Sequence, residues 1–317
     1  MTTLEQSPGI DAEYRLLREE AGRLPRPELR LIAVTGAEGA EFLQGQLTND
    51  VEALEPGSGC YAALLDRKGK IRADMRVLRL DADEFLIDTE PETADVLLGH
   101  LGTYNVGRDA TVEADGDGRA LLSLIGPLSA KLLGDVPLAP EDSHREVFVA
   151  GVGCRAIATD LGADLLVPGE GVDPVREFLL SAGAQPIGEA AAEIARVEAG
   201  RPRVGHEITE QTMPAEAGIN DRAVSFTKGC YIGQETVARL HYKGKPNRYL
   251  RRLRSGEPLA AGDPVVAGER EVGTGGTAVI SPAEGPLALA ILRREAEDGA
   301  TVMVGDGTEA TVEALGD

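Results

Sequence analysis

The stretch "VTGAEGAEFL" at 34–43 returns in altered form as "LIGPLSAKLL" at 124–133, with Gly36 aligned on Gly126 and Ala40 on Ala130 at an offset of 90 residues. A second pair, "LRLDADEFLI" (78–87) and "IATDLGADLLV" (157–167), follows, each ahead of a helical pattern that opens near a proline. Such a repeat constrains the fold more than any other feature. A sheet with helices on one face has to bury the other, so two copies are expected to pack together and leave a ligand site between them. The copies read as β-α-β-β-α units, roughly 28–117 and 118–205, which makes the chain α+β.

Local patterns fill in the elements. "DAEYRLLREEAGRL" (11–24) predicts an amphipathic helix, "ELRLIAVTG" (28–36) a strand and "AEGAEFLQGQL" (37–47) a helix after a glycine turn. "CYAALLD" and "IRADMRVLRLD" predict a hairpin across Arg67, Lys68, Gly69 and Lys70; "EFLIDT" is a further strand. "PETADVLLGHL" is a helix with Pro91 at its first position. In "IGEAAAEIARVEAG" (187–200), Ile187, Ala191, Ile194 and Val197 recur at helical spacing up to Gly200. Beyond 247, short apolar runs between Gly, Pro and Asp predict a small antiparallel barrel or sandwich. The expected segments are 1–117, 118–205, a connecting stretch 206–246, and 247–317.

Composition narrows the functional classes. The 317 residues are 42% hydrophobic and 27% charged, without an apolar run long enough to span a bilayer. The acidic opening "MTTLEQSPGIDAEYRLLREE" has no apolar signal core, so a cytoplasmic protein is expected. Three widely spaced cysteines (Cys60, Cys154, Cys230) without a CxxC fit a reducing compartment, and four histidines without ligand spacing predict no metal site. A net charge of −21 disfavours indiscriminate binding to nucleic acid or membranes. One stretch reverses it: between Thr236 and Gly256 stand seven cations (Arg239, Lys243, Lys245, Arg248, Arg251, Arg252, Arg254) and no acid. They are either a solvated domain junction or a site for a polyanion such as RNA or a polyglutamate tail.

Chemistry concentrates in "SFTKGCYIGQETVAR" (225–239). Cys230 is either a space-filling thiol or a reactive one: Gly229 and Gly233 permit close approach, and Lys228 would favour thiolate. Gln234 and Glu235 open a helix whose first N–H groups suit an anion. Tyr231, Tyr242 and Tyr249 lie in or beside the basic stretch and could stack on a planar ring, and the hairpin tip Arg67, Lys68, Lys70 and Arg72 could extend the same face. Asp74, between Arg72 and Arg76, reads as a paired surface acid or, if it faces a cleft, as an acceptor for a ring N–H. Arg196 and Glu198, at a helix end, read by default as a cap or surface pair.

"KGCYIGQE" (228–235) resembles the signature of YgfZ-type folate-binding proteins, relatives of the glycine-cleavage T-protein. "FLQGQLTNDV" (42–51), "LLDRKGKIRADMRV" (64–77), "RVEAGRPRVGHEI" (196–208) and "MPAEAGINDRAVSFTKGC" (213–230) resemble family blocks in the same order. The resemblance spans about 10–315 and implies a three-domain, ring-like T-protein fold with a C-terminal β-barrel. It implies tetrahydrofolate, or a one-carbon derivative, in a central opening. Asp74 then matches the acid near the reactive end of the folate, and Arg196 and Glu198 match residues that hold the pterin or its neighbour. Lys228, Gly229, Tyr231, Gly233, Gln234, Glu235 and Arg239 fall in or beside the motif, with Cys230 at its cysteine. For this branch the resemblance implies support of iron–sulfur enzymes, hence client iron–sulfur proteins and tRNA modification as partners. Aminomethyl transfer, with Asp74 orienting the folate, and RNA binding remain alternatives, so an enzyme is left open.

Overall fold

A computed structural model of the protein describes residues 9–116, 118–134 and 139–315. Residues 1–8, 117, 135–138 and 316–317, which fall within three of the expected segments, lie outside the described residues. The chain is mixed α+β. Its first sheet is antiparallel and orders Gly59–Leu65, Ile71–Asp81, Glu84–Thr89, Arg30–Thr35 and Thr111–Ala114. The second orders His144–Val149, Val152–Thr159, Gly162–Val167, Ala120–Ile125, Gly22–Pro25 and Gln185–Pro186. In both, a strand and helix are followed by three antiparallel strands, the last of which pairs back on the first, and then by a second helix.

The aligned glycines show why the repeat survives as sequence. Gly36 and Gly126 both turn from strand to helix with positive φ, +120° and +129°. A Cβ at Gly126 would fall 2.6 Å from the carbonyl oxygen of Glu20, and one at Gly36 would run into that of Asp109. Only glycine allows both the angle and the approach.

Each unit carries one strand more than the expected β-α-β-β-α order, and the first helix of the chain also differs from expectation. The first helix is Ile10–Glu19 and stops short of 24; Gly22–Pro25 is instead a strand of the second sheet. Ile10, Tyr14 and Leu17 bury one face against the helix Glu189–Glu198. A Cβ at Gly22 would lie 2.6 Å from Ile187 and 2.7 Å from Leu17, so that packing needs a bare backbone there. Pro25 closes the strand at a position where a helix interior would lose a hydrogen bond.

The C-terminal region is a closed six-stranded antiparallel barrel: Arg248–Ser255, Pro264–Ala267, Arg270–Ser281, Gly285–Arg293, Thr301–Val304 and Thr308–Ala314. Closure leaves no open sheet edge. Among the described residues no helix is long and apolar enough to cross a membrane.

The strand Ile71–Asp81 organises the centre of the molecule, because its side chains alternate between two faces. Ala73, Met75 and Val77 enter the core of the first unit. On the other face, Leu78 joins Leu121, Ile157 and Leu166 of the second sheet. Beside it, Arg76 is buried and bridges Asp88 of the first sheet (2.7 Å) and Asp164 of the second (2.8 Å). Ser123 Oγ donates to the other oxygen of Asp164 at 2.7 Å.

Arg76→Ala would leave two carboxylates facing each other across the sheets without their cation. Breaking one partner of a buried pair typically costs about 3–5 kcal/mol. A loss of that size in urea unfolding is expected; a loss below about 1 kcal/mol would show that the bridge is not needed to join the sheets.

Candidate functional site

Two residues along the same face from Arg76, Asp74 is only 8% exposed. Tyr61, on the neighbouring strand, donates from its hydroxyl to Asp74 Oδ2 at 2.5 Å, and Thr89 Oγ1 donates to the Asp74 carbonyl at 2.7 Å. Burial raises the Asp74 carboxyl to about 6, against the pull of the Tyr61 hydrogen bond, and holds the Tyr61 hydroxyl well above its ordinary value. Of the two readings left open by the sequence, the paired surface acid is excluded, and Asp74 is a buried acid on a cavity wall. Past Asp74 the face is no longer covered by the second sheet, and residues Ile208, Ala217, Ile219 and Ala223 of the connecting stretch pack over Ala63, Leu65 and Ile71 instead. Between the two covers a cavity of about 230 Å³ opens onto Tyr61, Asp74, Arg76, Asp142, Asp160 and Arg222. Burial raises Asp142 to about 7. Lined by several carboxyl groups, this space suits a ligand that brings N–H donors.

A wider groove of about 790 Å³ adjoins it, and Glu141 and Arg222 line both. Its walls include Glu198, Arg201, Lys245, Tyr249, Arg251 and Arg252. Glu198 accepts from Tyr14 Oη at 2.9 Å and from Ser281 Oγ. Arg251 lies over the Tyr249 ring at 4.8 Å, and its Nε is buried without a partner among the described residues. Carboxyl groups outnumber cations around the first space and cations outnumber carboxyl groups around the second, where Arg201 is paired with Asp160 and Arg252 with Glu313.

Arg196 departs from the cap or surface pair expected by default at this helix end. It is half-buried and gives all five N–H donors to protein oxygens: Glu193 (two, 2.8 Å each), Glu207 (3.1 Å), Thr277 (2.6 Å) and the Arg201 carbonyl (2.5 Å). It braces its helix on the barrel and has no donor left for a ligand.

The motif "KGCYIGQE" is divided by the fold. Lys228, expected to assist the thiol, instead donates to the carbonyls of Gln44 (2.6 Å), Leu47 (2.6 Å) and Asn49 (2.9 Å), which uses its three donors. Burial lowers it to about 8. Tyr231, expected to stack on a ligand ring, is buried with its ring 5.1 Å from the Lys228 ammonium. Gly233 has φ +86°, and a Cβ there would lie 2.5 Å from the Asp66 carbonyl oxygen; it starts the helix Gln234–Lys243. Gly229 has open space around it. Cys230 is exposed and, with Arg67, Arg72, His100, Gln234 and Glu235, lines a third pocket of about 700 Å³ that shares no residue with the Asp74 cavity.

Three of the seven cations in the basic stretch also find acidic partners. Arg248 is paired with Glu216 at 3.0 Å, while Arg252 and Arg254 share Glu284 and Glu313. Arg239, Lys243 and Lys245 are exposed. At the hairpin tip, Lys70 pairs with Glu216 and Arg72 with Glu210. Sequence reasoning missed Tyr61, Glu141, Asp142 and Arg222. Tyr61 could have been found as the hairpin residue one step from Asp74 on the same face; Glu141 and Asp142 come from a loop and Arg222 from the single-turn helix Asn220–Ala223, whose positions no periodicity encodes.

The fold is thus two related sheets with an acid-lined cavity beside their contact and a six-stranded barrel after them. Residues 3–228 match the family described as the GCVT N-terminal domain. The aminomethyltransferase of Corynebacterium jeikeium is 27% identical over 95% of this chain and 87% of its own. That of Mycolicibacterium paratuberculosis is 30% identical over 97% and 85%. The crystal structure of the glycine cleavage system aminomethyltransferase T from Bartonella henselae superposes with a TM-score of 0.86 at 24% identity, covering 98% of this chain and 90% of that one. The chain belongs to the GCVT family, with a T-protein-like fold.

The three thiols differ in environment. Burial pushes Cys60 up to about 12 and Cys154 up to about 11, whereas Cys230 is exposed. Brief iodoacetamide labelling followed by peptide mass mapping is expected to mark Cys230 first. Faster labelling of Cys60 or Cys154 would contradict this assignment of accessibility.

Proposed function

We propose that the protein binds a reduced folate in the Asp74 cavity and acts there on a one-carbon unit, as an aminomethyltransferase-like enzyme. The buried Asp74–Tyr61 pair at the cavity wall carries this reading. A pterin presents ring N–H and amino donors, which the carboxyl groups there can accept, and its anionic tail matches the cations of the adjoining groove. The two spaces, about 230 and 790 Å³, adjoin through shared residues, as a two-part ligand requires. Tetrahydrofolate, when bound, supplies the nitrogen that accepts the one-carbon unit. Asp74 orients that end and, with its carboxyl near 6, can take or hold a proton at Oδ close to neutral pH. Tyr61 keeps its own proton and steadies the carboxylate.

A second reading rests on Cys230. Its exposure in a pocket apart from Asp74 supports a YgfZ-type accessory role, in which the thiol meets a client iron–sulfur protein and the effect reaches tRNA-modifying enzymes. The names of the relatives support aminomethyl transfer more directly. RNA binding is the least supported, since three of the seven cations are committed to Glu216, Glu284 and Glu313.

The decisive assay is formation of methylene-tetrahydrofolate and ammonia from an S-aminomethyl donor. Asp74→Asn is expected to weaken tetrahydrofolate binding by roughly ten- to a hundredfold, the worth of a hydrogen bond to a charged group. Cys230→Ala is expected to leave binding within about twofold. In calorimetry the wild type should bind more weakly as pH falls through about 6, where Asp74 takes up a proton, and Asp74→Asn should flatten that dependence. Saturable binding unaffected by Asp74→Asn would remove the Asp74 cavity as the folate site.

A further inference from the structure

The junction between the two spaces is made by side chains from three parts of the chain. Tyr61 comes from the first sheet, Glu141 from the loop ahead of His144–Val149, and Arg222 from the connecting stretch. Arg222 donates from Nε to Glu141 at 3.3 Å and also from Nη2. Its guanidinium carbon lies 5.2 Å from the centre of the Tyr61 ring, whose hydroxyl holds Asp74. Asn49 fixes its backbone by donating to the Arg222 carbonyl at 2.9 Å. The two side chains are 27% and 33% exposed and line both spaces.

We propose that Arg222 is a specificity-determining residue that reads the acidic conjugate of the ligand, with Glu141 as a built-in competitor for its guanidinium. This rests on the folate reading and names what that site selects: a pterin carrying an acidic aminobenzoyl-glutamate extension over the bare pterin. A ligand confined to the Asp74 cavity leaves the pair closed. One that continues into the groove passes between the two side chains, and its carboxylate takes the place of Glu141 on Arg222. The fork geometry of a guanidinium suits this exchange, because either carboxylate can be held by two N–H groups. The Glu141 charge opposes an incoming anion until the pair has opened.

The test compares (6S)-tetrahydrofolate with 6-methyltetrahydropterin by calorimetry on wild type, Glu141→Gln and Arg222→Gln, after thermal melting has matched the variants to wild type. Glu141→Gln is expected to tighten tetrahydrofolate by about two- to fivefold, the worth of a partly exposed pair, and to leave the pterin within twofold. Arg222→Gln is expected to weaken tetrahydrofolate by about tenfold. If Arg222→Gln melts early, Arg222→Lys replaces it, and a smaller loss in the same direction is expected. A structural brace would instead lose affinity for both ligands with either substitution. Changes in one direction for both variants, or equal shifts for both ligands, overturn the inference and leave the folate reading standing. Failure of the wild type to bind either ligand overturns both.

Discussion

The buried guanidinium of Arg76, held between Asp88 and Asp164, sets the distance at which the two sheets meet. Its neighbours on the same strand face depend on that distance. Leu78 finds an apolar partner surface on the second sheet, and Asp74 is left at the rim, where the second sheet has ended. A wholly apolar contact of the same area could be as stable or more so. It would not fix the two sheets in register, whereas a planar fork between two carboxylates accepts only one arrangement. The same bridge keeps a charged network directly behind Asp74, and burial with neighbouring acids raises Asp74 and Asp142 toward neutrality.

A second tie encloses the cavity. The segment 44–50 is laced to the connecting stretch by polar side chains. Lys228 reaches three carbonyls, Thr48 Oγ1 donates to the Ala223 carbonyl at 2.5 Å, and Asn49 Nδ2 donates to the Arg222 carbonyl. Each satisfies backbone groups that the apolar cover would otherwise strand. This accounts for two sequence blocks at once. "FLQGQLTNDV" and "SFTKGC" keep polar residues because they hold each other, and Cys230 is presented outward by a loop whose lysine is anchored inward.

Legibility followed the range of the interaction. Strand alternation in "IRADMRVLRLD" and the turn glycines Gly36 and Gly126 act within a few residues, so the two related units and the barrel strands could be read directly. The first helix was overextended because Gly22 answers to Ile187, far along the chain. Lys228 was assigned to Cys230 by adjacency, whereas a long flexible side chain reached carbonyls some 180 residues away. Arg248, Arg252 and Arg254 formed a basic run in sequence and lost that character in space, because Glu216 arrives from the connecting stretch, Glu284 from a barrel turn and Glu313 from the last strand.

By itself the sequence determined an α+β chain with two related units and a terminal small barrel, and it singled out Asp74. Periodicity and glycine geometry are local, so they survive translation into structure without further information. Only the tertiary structure decided that Asp74 is buried and joined to Tyr61, that Cys230 faces a different pocket, and that Glu141 and Arg222 meet at the junction of the two ligand spaces. Those pairings join residues up to 81 positions apart, and no local pattern carries the distance between them.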